Sequence, residues 1–357
     1  MRASSTTKDF YIQWHITDHC NLRCIDCYQD SFTSGGELDM NGLKKICTGF
    51  KEAMDRWDCK LKVALTGGEP LLKKEIWALL EILDAADFVS ETGIITNGTM
   101  FGRDSTGLNA SKSGHAPEEL RRFQKLRNVF VSLDGATAAT NDLIRGNGTF
   151  KKTVRNIRSL AEAAIPVTIM FTLMKQNLHE APAMFELSLS LGVDGLIVER
   201  FIPLGQGKKI TDCVVSGYEL NDLYEKICLM CDLTYDPEEM VKYRAIKIEF
   251  IAEAESAMRR PHLYGAECIV ARDGMALLPD GTVLPCRRFN LPIGNMLHEP
   301  LYKIWDSSEV LNEIRKRENL KGVCGVCEIP DCIGCRAMTF ALTGDYLAED
   351  PHCWKEG

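Results

Sequence analysis

The chain has 357 residues, 45% of them hydrophobic, enough apolar material for one large α/β domain and a smaller companion. A net charge of −8, with no Lys/Arg run interleaved with aromatics, argues against a broad phosphate-binding surface, so no nucleic-acid partner is expected. Residues 1–8 are polar where a secretory signal needs an apolar core, and no run reaches transmembrane length. A cytoplasmic location without membrane association is expected, and in that reducing setting fifteen cysteines, an odd count, point to metal ligands before disulfides.

Strands are predicted at residues 10–17, 62–66, 92–96, 128–133, 167–173 and 195–203, with helical periodicity filling the intervals. Met40, Leu43, Cys47, Phe50 and Met54 form one apolar stripe, and Val154, Ile157, Leu160 and Ala161 another; both should face the core. Six β-then-α units predict a parallel sheet with right-handed crossovers, either open and doubly wound or an incomplete barrel. In both cases ligands bind beyond the C-terminal strand ends. The Gly- and Ser-rich stretch 101–116 is expected to be a surface insertion. From about Ser216 the rhythm stops, leaving a predicted helix at 218–232, a short mixed segment and a Cys-dense tail from Cys268. The expected divisions are an N-terminal tail at 1–9, the α/β domain at 10–215, a helical connector at 216–262 and a Cys-rich domain at 263–357.

The loop after the first strand carries Cys20, Cys24 and Cys27 in a Cys-x3-Cys-x2-Cys spacing, followed by Tyr28. Three thiolates on a four-iron cubane leave one iron free to bind a small molecule, unlike the four-Cys sites of electron carriers. A zinc site completed by His15 or His19 is the alternative for this loop taken alone. Further down the chain, Thr66-Gly67-Gly68-Glu69-Pro70 follows the second strand, Thr96-Asn97-Gly98 the third and Ser132-Leu133-Asp134-Gly135 the fourth, with Ile144-Arg145-Gly146 beyond them. This ordered set resembles the radical S-adenosylmethionine superfamily over roughly residues 10–203.

The resemblance implies a partial (β/α)6 TIM-like barrel and a [4Fe-4S] cluster on Cys20, Cys24 and Cys27 that binds S-adenosyl-L-methionine. It also implies that Gly67, Gly68, Glu69 and Pro70 form the loop at the methionine amino group, and that Asn97, Ser132 and Asp134 lie by the ribose and nearby cofactor atoms. Arg145 would pair with the methionine carboxylate, a role suited to its fixed fork of donors. Tyr28 and residues 204–207 would border the adenine.

Seven further cysteines make a second pattern: Cys268, Cys286, Cys324-x2-Cys327-x4-Cys332-x2-Cys335 and Cys353. Spacing alone favours a zinc knuckle. Behind a radical barrel, however, the arrangement resembles the SPASM extension, which implies two auxiliary [4Fe-4S] clusters. By that resemblance Cys324, Cys327, Cys332 and Cys353 would ligate the outer one, and Cys268, Cys286 and Cys335 the inner. The spacing departs from the common pattern by one residue between Cys327 and Cys332 and another between Cys332 and Cys335. An eighth ligand could come from His262, Cys213, Cys228 or Cys231, or the inner cluster could keep an open iron for substrate. Cys47, Cys59, Cys228 and Cys231 read more simply as core residues.

A barrel with auxiliary clusters implies reductive cleavage of S-adenosylmethionine, hydrogen abstraction by a 5′-deoxyadenosyl radical and oxidation of the substrate radical, with electrons supplied by a low-potential donor such as a flavodoxin or ferredoxin. The first expectation for the substrate is a peptide or protein, making the chain a maturase. Only about twenty residues precede Cys20, so a separate peptide-recognition protein is expected with it. The second is a small molecule, a tetrapyrrole losing carboxylate or side-chain carbon on a haem-type pathway. An iron–sulfur electron carrier is the expectation from outside catalysis. No catalytic acid or base is assigned, although Asp194, Glu199 and Arg200 near the sixth strand could face the cavity.

Overall fold

Strand β1 (Asp9–Thr17) shows how the sequence builds the molecule. Phe10, Ile12, Trp14 and Ile16 are buried on one face, while Tyr11 and Gln13 line a cavity on the other, as the two-residue period of a strand requires. The structure, a computed structural model, describes residues 9–102, 114–252 and 259–355. The same division repeats through β2 (Lys60–Gly67), β3 (Val89–Thr96), β4 (Leu126–Ser132), β5 (Val167–Leu173) and β6 (Gly195–Arg200). Leu61, Val63 and Leu65, then Ile94, Val129, Val131, Ile169, Phe171, Leu196 and Val198, are buried in the core, whereas Ile95, Ser132, Met170, Thr172, Ile197 and Glu199 line the cavity.

Helices α1 (Met40–Trp57), α2 (Ile76–Ala85), α3 (Ala138–Arg145), α4 (Thr149–Glu162) and α5 (Ala181–Ser190) intervene between the strands. Asp39 caps α1 by accepting from the Gly42 amide at 2.9 Å, and Leu43, Ile46, Cys47, Phe50, Ala53 and Met54 are buried along one stripe. In α4 the buried apolar residues are Val154, Ile157 and Leu160, with Ala161 at the edge of the stripe.

Strands β1 to β6 pair in parallel in chain order. One cavity touches side chains from all six, and β1 does not pair with β6, so the sheet is curved without closing: a partial (β/α)6 barrel. Beyond β6 follow α6 (Gly217–Met230), β7 (Ala245–Ala252) and β8 (Arg259–Ala266). The segment expected as a helical connector therefore also holds most of an antiparallel hairpin. Ile246, Ile248 and Phe250 alternate into the core there, a period-two pattern too short to stand out in sequence. The sixth strand ends at Arg200, short of the expected Pro203.

The Cys-rich segment extends the same sheet from its other end. β9 (Gly274–Leu277) runs parallel to β1, and β10 (Thr282–Leu284) and β11 (Gly294–Asn295) add antiparallel strands beyond it. This pairing fixes the tail alongside the middle of β1, at Tyr11 to Trp14. Most of the expected surface insertion, 103–113, lies outside the described residues; its flanks meet in a bridge between Phe101 and His115. Among the described residues no helix is long and apolar enough to cross a membrane.

Candidate active site

The loop after β1 is held from three sides. Gly68 donates to Thr17 O at 2.8 Å and Glu69 to His19 O at 2.9 Å, so the loop after β2 is stitched to the strand end that carries the cysteines. A Cβ on Gly68 would stand 2.5 Å from His19 O and 2.7 Å from Cys20 Cβ, a close approach that only glycine permits. Ile25 donates to Ile144 O at 3.0 Å, beside Arg145. Gln206 and Gly207 donate to Gln29 O and Cys27 O, and Gly205, at φ +53°, leaves no room for a Cβ against the Tyr28–Gln29 backbone. Residues 204–207 thus act as a brace under the cysteine loop.

Cys20, Cys24 and Cys27 all line a cavity of about 380 Å³. Cys268, Cys286 and Cys335 line the same chamber, whereas Cys324, Cys327, Cys332 and Cys353 line a separate, small cavity. The ten cysteines singled out from sequence thus fall on two cavities, six on the chamber and four on the small one. Burial pushes the Cys27 thiol up to about 11 and raises Cys20, Cys24, Cys268, Cys286, Cys324 and Cys353 as well. Buried thiols so disposed become thiolates only against a strong cationic centre. The three thiols of the first loop, and the four of the tail, each share a cavity wall that could hold a metal centre. His15 is buried beneath Tyr28, its imidazole held down at about 4 by burial and by Arg287, and neither it nor the exposed His19 lines the chamber.

Of the other residues singled out, Tyr28, Gly67, Gly68, Asn97, Ser132 and Arg145 line the chamber, and Glu69, Pro70 and Asp134 do not. Glu69 is fully buried and its carboxylate accepts from Leu71 N, Thr96 Oγ1 and Asn97 N at 2.8–3.1 Å, tying the end of β2 to the end of β3. It is a positioning residue in this geometry. Asp134 is likewise buried; it accepts from Thr172 N at 2.8 Å and from Arg145 Nε at 2.5 Å, steadying a guanidinium whose terminal nitrogens are left for the chamber. Asn97 reaches Asn21 Oδ1 at 2.9 Å and lies 3.9 Å from Cys20 Sγ.

Burial raises the Glu69 carboxyl to about 7 despite its three donors, which penalises the ionised form in the folded state. Its contribution is therefore largest below the ordinary carboxylate range and is lost as pH rises through 7. In urea unfolding, wild type should lose stability relative to Glu69→Gln between about pH 5 and about pH 7. Glu69→Ala leaves the buried donors without an acceptor and should cost about 3 kcal/mol.

None of the four candidates for an eighth ligand reaches either cavity. Cys228 and Cys231 are packed in the core, Cys213 Sγ faces Gln176 Oε1 at 3.3 Å, and His262 is exposed on β8. Glu199 and Arg200 do line the chamber, but Asp194 does not: it sits at the opposite end of the sheet, where it accepts from Val167 N at 2.9 Å and pairs with Arg259. Its place before β6, not after it, is the reason.

The chamber also holds residues that sequence patterns left unremarked. Arg288 pairs with Glu199 at 2.8 Å. Arg244 lines both cavities, donating to Asp350 at 2.8 Å and approaching Cys332 Sγ at 3.6 Å. Burial alone would raise the Asp350 carboxyl, but Arg244 and Arg200 hold it down at about 2. Asp26, with an orphaned Oδ1, is pushed up by burial and by Asp134. Pro285-Cys286-Arg287-Arg288 was a visible signal for the two arginines; nothing local marks Arg244.

Comparison with known proteins agrees with this geometry. The Radical SAM superfamily model matches residues 14–188 and the SPASM iron–sulfur cluster-binding domain model residues 268–332. The AdoMet-dependent heme synthase of Methanosarcina barkeri is 31% identical over 96% of this chain and 95% of its own. The PqqA peptide cyclase of Bradyrhizobium diazoefficiens is 26% identical over 95% and 84%. In fold, the chain is similar to Streptococcus suis SuiB bound to precursor peptide SuiA, at a TM-score of 0.66 and 18% identity over 98% of this chain and 76% of that one. Both substrate classes expected from sequence thus occur among relatives. The chain belongs to the radical SAM superfamily, and is an enzyme with a cluster-bound S-adenosylmethionine site in a partial barrel and a C-terminal SPASM domain for auxiliary iron–sulfur clusters.

Proposed function

We propose that this enzyme oxidatively decarboxylates a tetrapyrrole carrying carboxylate side chains. The carrying observation is the single chamber into which both three-thiol sets open. By this reading Cys20, Cys24 and Cys27 hold the cluster that binds S-adenosylmethionine, Cys268, Cys286 and Cys335 hold the inner auxiliary cluster, and Cys324, Cys327, Cys332 and Cys353 the outer. When bound, these groups supply a 5′-deoxyadenosyl radical and an electron acceptor. A substrate between them can lose a hydrogen atom to one side and an electron to the other. For a side chain –CH2–CH2–COO⁻, loss of one hydrogen atom and one electron leaves –CH=CH2 and CO2, which balances. Arg145, steadied by Asp134, orients the cofactor's carboxylate, and the buried walls of β1 to β6 exclude water. The near full-length similarity to a haem synthase supports the tetrapyrrole as substrate. A flavodoxin or ferredoxin would serve as electron donor.

Peptide modification is the second reading. It is favoured by the open sheet edge at β8, which offers backbone groups for an added strand, and by the similarity to a peptide cyclase. A separate recognition protein belongs to that reading. Anaerobic turnover with a porphyrin deuterated on its propionate side chains separates the two. Deuterium in 5′-deoxyadenosine together with released CO2 is expected; no transfer from the porphyrin, but transfer from a deuterated peptide, would establish peptide maturation instead.

A further inference from the structure

Five arginines line the chamber: Arg145, Arg200, Arg244, Arg287 and Arg288. Four have a carboxylate partner. Arg145 is held by Asp134, Arg288 by Glu199, and Arg200 and Arg244 by Asp350. Arg287 has none among the described residues, although it is only 7% exposed, and its Nε is buried without a hydrogen-bond partner. Its guanidinium lies over the Tyr28 ring at 4.2 Å, a contact that holds it without neutralising the charge. A buried guanidinium without a carboxylate partner is costly, and the unpartnered Nε–H is free to take an anion from outside.

Its position says which anion. Arg287 directly follows Cys286, on the auxiliary side of the chamber, while Tyr28 directly follows Cys27, on the S-adenosylmethionine side. The stacked pair therefore spans the gap between the two thiol sets. On the proposed reading the cofactor's carboxylate already has Arg145. We infer that Arg287 is the anchor for a substrate carboxylate, taken in a forked pair of hydrogen bonds, and that it sets which side chain of the substrate lies between the two centres. The acids on the chamber wall are Asp26, Glu199 and Glu267; Glu199 is engaged by Arg288 and Glu267 by Arg272, and Asp26 makes no ion pair with Arg287. This inference rests on the tetrapyrrole reading and adds a specificity-determining residue to it.

The test is absorbance titration of the cluster-loaded enzyme with a tetracarboxylate porphyrin and with its fully esterified form, in wild type, Arg287→Lys and Arg287→Met. Wild type should bind the acid at least about tenfold more tightly than the ester, the scale of a hydrogen bond to a charged group. Arg287→Met should lose that preference, and Arg287→Lys, which keeps the charge without the fork, should retain part of it. Iron content should stay unchanged in both variants, which keeps a lost preference distinct from lost clusters. Equal binding of acid by wild type and Arg287→Met overturns the anchor while leaving the tetrapyrrole reading intact. Loss of S-adenosylmethionine cleavage in Arg287→Lys also overturns the anchor, assigning the arginine to the cofactor. Failure of wild type to bind any porphyrin overturns the functional reading and the anchor with it. The acid–ester comparison in wild type stands even if Arg287→Met fails to fold.

Discussion

Replacing Cys20, Cys24 and Cys27 together by alanine should abolish 5′-deoxyadenosine formation while leaving the auxiliary clusters in place. The three thiols share one loop, braced by the Gly67–Glu69 turn, by Ile144 and by residues 205–207, and these braces are backbone hydrogen bonds that alanine keeps. The loop's shape should therefore survive the loss of its sulfurs. The seven cysteines lining the two cavities besides these three sit on the tail that pairs with β1 through β9, and that pairing does not involve the loop. The expected signature after reconstitution is a loss of about four irons per chain, with broad iron–sulfur absorption remaining. 5′-Deoxyadenosine should fall to the level of the reductant alone. Retained cleavage in the triple variant would remove this loop from the initiating step and require another set of thiols to bind the cofactor.

How much of this was legible in the sequence depends on the range of the physics involved. The alternation of Phe10, Ile12, Trp14 and Ile16 with Tyr11 and Gln13 is written within one strand, so strand, core face and cavity face could all be read locally. The stripe of Leu43, Cys47, Phe50 and Met54 was equally local. The hairpin of β7 and β8 was missed because β7 is stabilised by β6 and β8, and β8 by β7, more than either is by its own pattern. Site residues divide in the same way. Loop motifs marked the cysteines and Arg145, but Glu69 and Asp134 turned inward to tie strand ends together, a choice made by partners 27 to 38 residues away. Arg244 bridges the two cavities through Asp350, 106 residues distant, and no spacing rule reaches that far.

The tail should separate initiation of the radical from its outcome, and Cys335 is the residue at which to see it. Between Cys332 and Cys335 the chain crosses from the small cavity to the main chamber. The crossing is tight: Gly334 has φ +65°, and a Cβ there would stand 2.9 Å from Asp350 Cβ and 3.1 Å from Cys324 Sγ. Cys335 itself opens the helix Arg336–Thr343, and its amide donates to Asp350 Oδ2 at 2.7 Å, so the backbone at this point is anchored independently of the sulfur. Serine keeps that amide, the helix start and nearly the same volume, and replaces only the soft ligand. Cys335→Ser should therefore cleave S-adenosylmethionine at close to the wild-type rate, provided the first cluster is loaded, yet give no oxidised product. The hydrogen abstracted from substrate should then return to it, so that with a deuterated substrate and unlabelled cofactor, deuterium would wash out of the substrate without CO2 release. Undiminished product from Cys335→Ser would show that the substrate electron leaves the chamber by a route that does not use this thiol.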